Sequence, residues 1–185
     1  MSITKRRQRL LTAEFVTRWA ATYDRHAGYD QDEELEIKNQ LAQLKPKHLT
    51  KALFLRLGRW KTARQSRNYE SNSESLVKEA TLLASKANDD ALKLHVLTSL
   101  RGVDIAVAST ISHFLDPDSF PIFDVRVRRS LTRAGEWARR ADDSSKNAWL
   151  EYVAATRRLC KRLSVSQRKL DKALWAYDKY KEGVF

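Results

Sequence analysis

This sequence predicts an all-α fold of about eight to nine helices, and three observations lead there. Gly and Pro together supply eight of 185 residues, a composition that disfavours strands and turns. Apolar residues recur at helical spacing through most of the chain. Helix-starting residues, Thr12, Thr50, Ser73 and Asp124, stand just ahead of those runs. The length suits one well-buried domain over 1–185, read as N-terminal helices 1–99, a central segment 100–133 and C-terminal helices 134–185.

Behind a basic arm of Lys5, Arg6, Arg7 and Arg9, Thr12 is placed to cap a helix reaching Asp24, with Phe15, Trp19 and Tyr23 as a core stripe. A second helix is expected from Asp32 to just before Pro46, its apolar positions being Leu35, Ile37, Leu41 and Leu44. The acidic run Asp30, Asp32, Glu33, Glu34 and Glu36 reads as the solvated start of that helix. Thr50 caps a third, carrying Leu53, Phe54, Leu57 and Trp60, which runs out in a polar stretch, Arg64 to Ser75, read as an internal loop.

Ser73 starts a helix through Leu76, Val77, Ala80 and Leu83, and another follows Asn88-Asp89 with Leu92, Val96, Leu97 and Leu100. Gly102 then turns the chain into an apolar helix, Ile105 to Leu115. A connection with two prolines leads to Asp124, the N-cap of a helix to about Arg133. Residues 134–145 read as a polar loop, and the last two helices as 146–163 and 167–180.

The formal net charge of +12 points to a polyanionic partner. It is concentrated late in the chain: residues 125–140 carry six arginines against Glu136, and residues 157–172 seven Lys/Arg against Asp171. A lone cysteine, Cys160, excludes an internal disulfide and reads as packing. No apolar stretch approaches the ~20 residues that span a bilayer, and with no signal-like N-terminus an intracellular location is expected. His26, His48, His95 and His113 show no metal-ligand spacing, with His113 read as a packed or hydrogen-bonded surface residue, and no phosphate-binding loop is present.

The chemistry concentrates in residues 100–131. Leu100-Arg101-Gly102-Val103-Asp104 lies between two apolar helices, where glycine allows a sharp turn and the next helix offers free amides to an anion. The same glycine also serves as a plain helix C-cap. Leu100, Gly102, Val103, Ala108, Asp124, Val127 and Arg129 together resemble the pattern of the endonuclease III-like helix-hairpin-helix DNA glycosylases, in which a Leu-Pro-Gly-Val-Gly hairpin, a short apolar helix and a loop precede Val-Asp-x-x-Val. The 22 residues from Gly102 to Asp124 match as well. Trp60-Lys61, Phe120 to Arg126 and Leu170 to Trp175 resemble a poorly characterised bacterial branch of that superfamily.

The resemblance implies that Asp124 is the catalytic carboxylate, stabilising positive charge on the sugar and orienting or deprotonating water. A simple N-cap would place aspartate there equally well. It further implies duplex DNA bound through Arg101, Gly102, Val103 and Asp104 and through Arg126, Arg129 and Arg133, which share one helix face. A solvated surface helix is the other reading of those arginines. Trp60, Lys61, Arg64, Tyr69, Asn72 and Trp175 are the candidates for a base pocket, with Arg64, Arg67, Asn68 and Asn72 as the edge readers, although Trp60 and Trp175 also fit a core.

Two departures qualify the resemblance. Ala106 stands where bifunctional members carry a nucleophilic lysine, so hydrolysis without strand cleavage is implied. Asp104 replaces the second hairpin glycine, either putting a carboxylate where a phosphate should approach or capping the next helix and leaving the amides available. The four cysteines of an iron–sulfur cluster are missing, so neither a cluster nor a small-molecule cofactor is expected, and the resemblance leaves room only for a monovalent cation at the hairpin.

The expected function is thus that of a monomeric, monofunctional DNA glycosylase. Two alternatives stand beside it: a non-catalytic nucleic-acid-binding module on the same fold, and a helical protein whose charge answers an acidic protein partner.

Overall fold

A computed structural model describes residues 11–180 and is all-helical there. The N-terminal basic arm, Lys5 to Arg9, lies outside the described residues. Ten α-helices are found among them: α1 Ala13–His26, α2 Tyr29–Ala42, α3 Lys51–Lys61, α4 Ser66–Glu70, α5 Glu74–Lys86, α6 Asp90–Thr98, α7 Ile105–Leu115, α8 Val125–Arg133, α9 Lys146–Leu163 and α10 Gln167–Tyr180. The local signals that start them are as read: Thr12, Thr50, Ser73 and Asp124 each accept a hydrogen bond from an amide in the first turn.

Helix α7 runs through the middle, every side chain from Val107 to Leu115 buried, which explains its near-continuous apolar sequence. One contiguous core surrounds it, drawing on α1 to α6, α8, α9 and α10. Helix α1 packs along α10, and α10 in turn against α8. Tyr177 of α10 meets Phe15 and Trp19 at ring distances of 5.1 and 5.0 Å.

Four expectations are corrected. The stretch Arg64 to Ser75 is not a loop: a 3-10 turn at Ala63–Gln65 and helix α4 occupy it, with Tyr69 and Asn72 buried. The second helix begins at Tyr29. Leu35, Leu76, Leu83 and Leu92 do not face the core, Leu35 being 60% exposed, because Ile37, Leu41, Val77, Ala80 and Leu94 fill the buried stripes of their helices. The acidic run is no free solvated face either. Glu33 and Glu36 clamp Arg56 of α3, and Glu34 is buried against Arg168 of α10, since an ionised group taken from water needs a charged partner.

The α6–α7 connection, residues 99–104, is a tight turn with Gly102 at φ +84°. A Cβ at Gly102 would lie 2.9 Å from both Asn68 Cβ and Tyr69 Cδ1, so glycine is required by space as well as by backbone angle. Asn72 locks the turn from the other side: its Oδ1 accepts from the Arg101 amide at 2.8 Å and its Nδ2 donates to the Arg101 carbonyl at 3.0 Å. No helix of the described residues is long and apolar enough to cross a membrane.

Candidate functional site

The connection from α7 to α8 is fixed by buried polar groups. His113 Nδ1 meets the Phe120 carbonyl at 2.7 Å, Ser109 accepts from the Phe123 amide at 2.8 Å, and the Tyr152 hydroxyl donates to the Ile122 carbonyl at 2.9 Å. Phe120 stacks parallel on Trp149 beneath. His113 is therefore no surface residue. Burial, helped by the Arg168 charge, drives its pKa down to about 3 and keeps the ring neutral.

This scaffold delivers Asp124 to the head of α8. Its Oδ1 accepts from the Arg126 amide at 2.9 Å, and its Oδ2 accepts from Lys61 Nζ, also at 2.9 Å. Lys61 is the last residue of α3 and Asp124 the cap of α8, so each charge stands at the helix end whose dipole favours it. Burial works to raise the Asp124 carboxyl, but Lys61 and the Arg126 amide overcome it and hold it below the ordinary range.

Around this pair lies a cavity of about 190 Å³ lined by Tyr23, Trp60, Lys61, Ile122, Asp124, Arg168, Asp171 and Trp175. Of the six sequence candidates for a base pocket, Trp60, Lys61 and Trp175 are there. Trp60 also packs edge-on against Phe114 at 5.6 Å, and Trp175 against Tyr23 at 5.3 Å, so each ring gives one side to the core and lines the cavity as well. The other three do not line it. Tyr69 is wholly buried, edge-on to Phe54, with its hydroxyl donating to the Thr62 carbonyl; Asn72 locks the turn; Arg64 is exposed on the 3-10 turn, with Arg67 and Asn68 exposed on α4.

Besides Ile122, four polar residues of the site were not singled out as site residues from the sequence. Tyr23 is buried as its place in the core stripe predicts, and it lines the cavity as well. Arg168 and Asp171 come from the first turns of α10, and Glu34 stands behind Arg168 from α2. Arg168 binds both carboxylates, its guanidinium over the Tyr23 and Trp60 rings at 5.3 and 5.9 Å. Glu34, although burial works to raise it, is held down at about 2 by Arg168 and Lys38. Asp171 behaves oppositely: burial lifts its carboxyl to about 6 against the pull of Arg168, and the Asp124 charge adds to the rise. A paired Leu-Asp-Lys pattern on an amphipathic helix carries no mark that its aspartate faces inward; only the spacing of Arg168 and Asp171, one turn apart, hinted at a pair.

The arginines expected on the DNA face are grouped as read but not free. Arg126, Arg129 and Arg133 all converge on Asp178 of α10, at 3.3, 2.8 and 3.2 Å, and that carboxylate is 1% exposed while the three arginines are each two-fifths exposed. Arg128, off that face, is buried over the Phe123 ring at 3.9 Å. Much of the remaining basic charge is also paired inside the protein: Arg139 with Glu151, Arg157 with Asp90, Arg162 with Glu136, Lys172 with Asp24. In the turn, Arg101 is exposed, Val103 is buried, and Asp104 caps α7 through the Val107 amide at 2.9 Å. Cys160 is half-buried, its thiol raised to about 12 by burial.

Comparison with protein-family models, with curated proteins and with solved structures finds no match to this chain.

Proposed function

We propose that this protein is a monofunctional DNA glycosylase-like hydrolase, one that binds duplex DNA, receives an extruded damaged or modified base and cleaves its N-glycosidic bond without cutting the strand. The observation that carries this reading is Asp124, an ionised carboxylate fixed at the wall of a cavity lined by three aromatic rings. As the bond to the base breaks, positive charge grows on the sugar, and a carboxylate already in place stabilises it and orients water. Lys61 and the α8 N-terminus hold Asp124 in the form that this task needs.

Tyr23, Trp60 and Trp175 offer apolar surface to a base that has left the stack. The cavity volume, about 190 Å³, corresponds to about six waters, a space for one small ring system. Arg101 on the α6–α7 turn and the outer faces of Arg126, Arg129 and Arg133 are the groups offered to phosphates, with the turn in the role of a helix-hairpin-helix.

A second reading, a non-catalytic nucleic-acid-binding module, has one observation in its favour. Both Asp124 oxygens are already engaged, one by the cap and one by Lys61, as a purely architectural aspartate would be. Base release from a panel of duplexes with damaged or modified bases, measured beside binding, separates the two. Asp124→Asn is expected to keep affinity and lose release; a wild-type protein that binds every duplex and releases nothing establishes the binding module. Borohydride trapping on abasic duplex is expected to give no adduct, and an adduct that disappears in Lys61→Met overturns the purely hydrolytic form.

A further inference from the structure

We propose that Asp171 is the general acid of the reaction, handing a proton to the departing base while Asp124 faces the sugar, so that the substrates are bases that leave uncharged only after protonation. This rests on the glycosylase reading above.

Both carboxylates line the same cavity. Arg168, one turn earlier on α10, holds Asp171 Oδ2, while Oδ1 is buried and has no hydrogen-bond partner among the described residues. A buried polar oxygen left without a partner is costly and rare in folded proteins. It marks the place where a ligand atom completes the bond. With Oδ2 occupied by a guanidinium, Oδ1 is also the oxygen on which a proton would sit.

The groups around Asp171 divide the two carboxylates between the two roles. Facing it are Arg168 from its own helix, Tyr23 of α1, Lys61 of α3, Tyr152 of α9 and Asp124 at the head of α8, with Glu34 of α2 on the far side of Arg168. Lys61 bonds Asp124 directly, and the Arg168 guanidinium gives two bonds to Glu34 but one to Asp171, so Asp124 and Glu34 receive the stronger pull toward ionisation, whereas at Asp171 burial outweighs the single bond. Burial first, and then the Asp124 charge, raise Asp171 to about 6 while Asp124 is held down. Two carboxyls in one site pushed in opposite directions are the arrangement that acid and base partners require.

The step balances. The C1′–N bond breaks with its electron pair going to the base nitrogen, and the Asp171 Oδ1 proton is transferred to a ring nitrogen of that base. Water oxygen bonds to C1′ and gives its proton to Asp124. The two carboxyls then exchange protons with solvent and return to their starting states.

Single-turnover release from two duplexes tests this, one containing hypoxanthine, an uncharged base, and one containing 7-methylguanine, whose ring already bears a positive charge. Hypoxanthine release by the wild type is expected to be flat below about pH 6 and to fall about tenfold per pH unit above it. Release of 7-methylguanine should lack that limb. Asp171→Asn should slow hypoxanthine release by about 100-fold or more, remove the limb, and leave 7-methylguanine release within a few-fold. An active wild type that loses release with Asp124→Asn and nothing with Asp171→Asn overturns this proposal alone. If Asp171→Asn does not fold, the wild-type profile decides: hypoxanthine release without an alkaline limb overturns it. A wild type that releases base from neither duplex overturns it too, and when nothing is released from the wider panel the glycosylase reading falls with it.

Discussion

Asp104 and Asp124 do the same local work. Each follows a turn, each caps a helix, and each takes its bond from a first-turn amide at 2.9 Å. Their surroundings part them. Asp104 is exposed at the surface of a turn whose geometry is exhausted by packing: Tyr69 fills the space beside Gly102, and Asn72 satisfies the Arg101 backbone on both sides. Asp124 has its second oxygen on Lys61, at the edge of a cavity that Asp171 also lines, one Asp171 oxygen having no hydrogen-bond partner among the described residues. A cap is a local property, whereas a site depends on what four distant helices bring to the same place.

The largest effect expected from this contrast is catalytic. Asparagine caps a helix nearly as well as aspartate, so Asp124→Asn and Asp104→Asn should melt within a few degrees of wild type. Base release should fall by about 1,000-fold in the first and stay near wild type in the second. Equal losses in the two variants would erase the distinction drawn between them.

The turn should break by a different route. Gly102→Ala adds a left-handed backbone penalty to contacts of 2.9 Å, whereas Gly135→Ala has the positive φ of +70° but nothing within 4 Å of the new Cβ. Urea unfolding should show about 3 to 4 kcal/mol lost at Gly102 and about 1 at Gly135. Similar losses at both would mean that Tyr69 yields easily.

The two carboxylates on Arg168 should leave a signature in stability against pH. Glu34, depressed to about 2, contributes stability that is present above its ordinary value of 4.5 and lost as the pH falls toward 2. Asp171, raised to about 6 from 3.8, works the other way: its ionisation costs folding energy, so stability from this group is lost as the pH rises through that window. The span is worth on the order of 3 kcal/mol. Melting temperatures from pH 3 to 7.5 should therefore show a decline between 4 and 6 that Asp171→Asn removes and Asp104→Asn keeps.

Smallest is the effect of one phosphate contact. Arg129→Ala should reduce the slope of log affinity against log salt by about one, seen by filter binding at several salt concentrations. An unchanged slope would count against that arginine face as a phosphate-contacting surface.

The helices and their starts were legible because each depends on a handful of neighbouring residues, as at Thr12, Ser73 and Asp124. Gly102 and Asp124 stood out for the same reason. The stretch from Arg64 to Ser75 was not legible, since its polar sequence hides one tyrosine and one asparagine that only the facing turn makes essential. Arg168, Asp171 and Glu34 escaped notice because charges on an amphipathic helix look alike until the partner helix is known. Their pairing spans 134 residues of sequence between Glu34 and Arg168.

The cluster on Asp178 carries one more consequence. An arginine that swings freely in water surrenders about 1 kcal/mol of rotamer freedom when a ligand immobilises it. Arg126, Arg129 and Arg133 are already gathered by a single buried anion in the free protein, with their outer faces still in solvent. Most of that ordering is complete before any polyanion arrives, and three cations sharing one counterion keep attraction to spare for it.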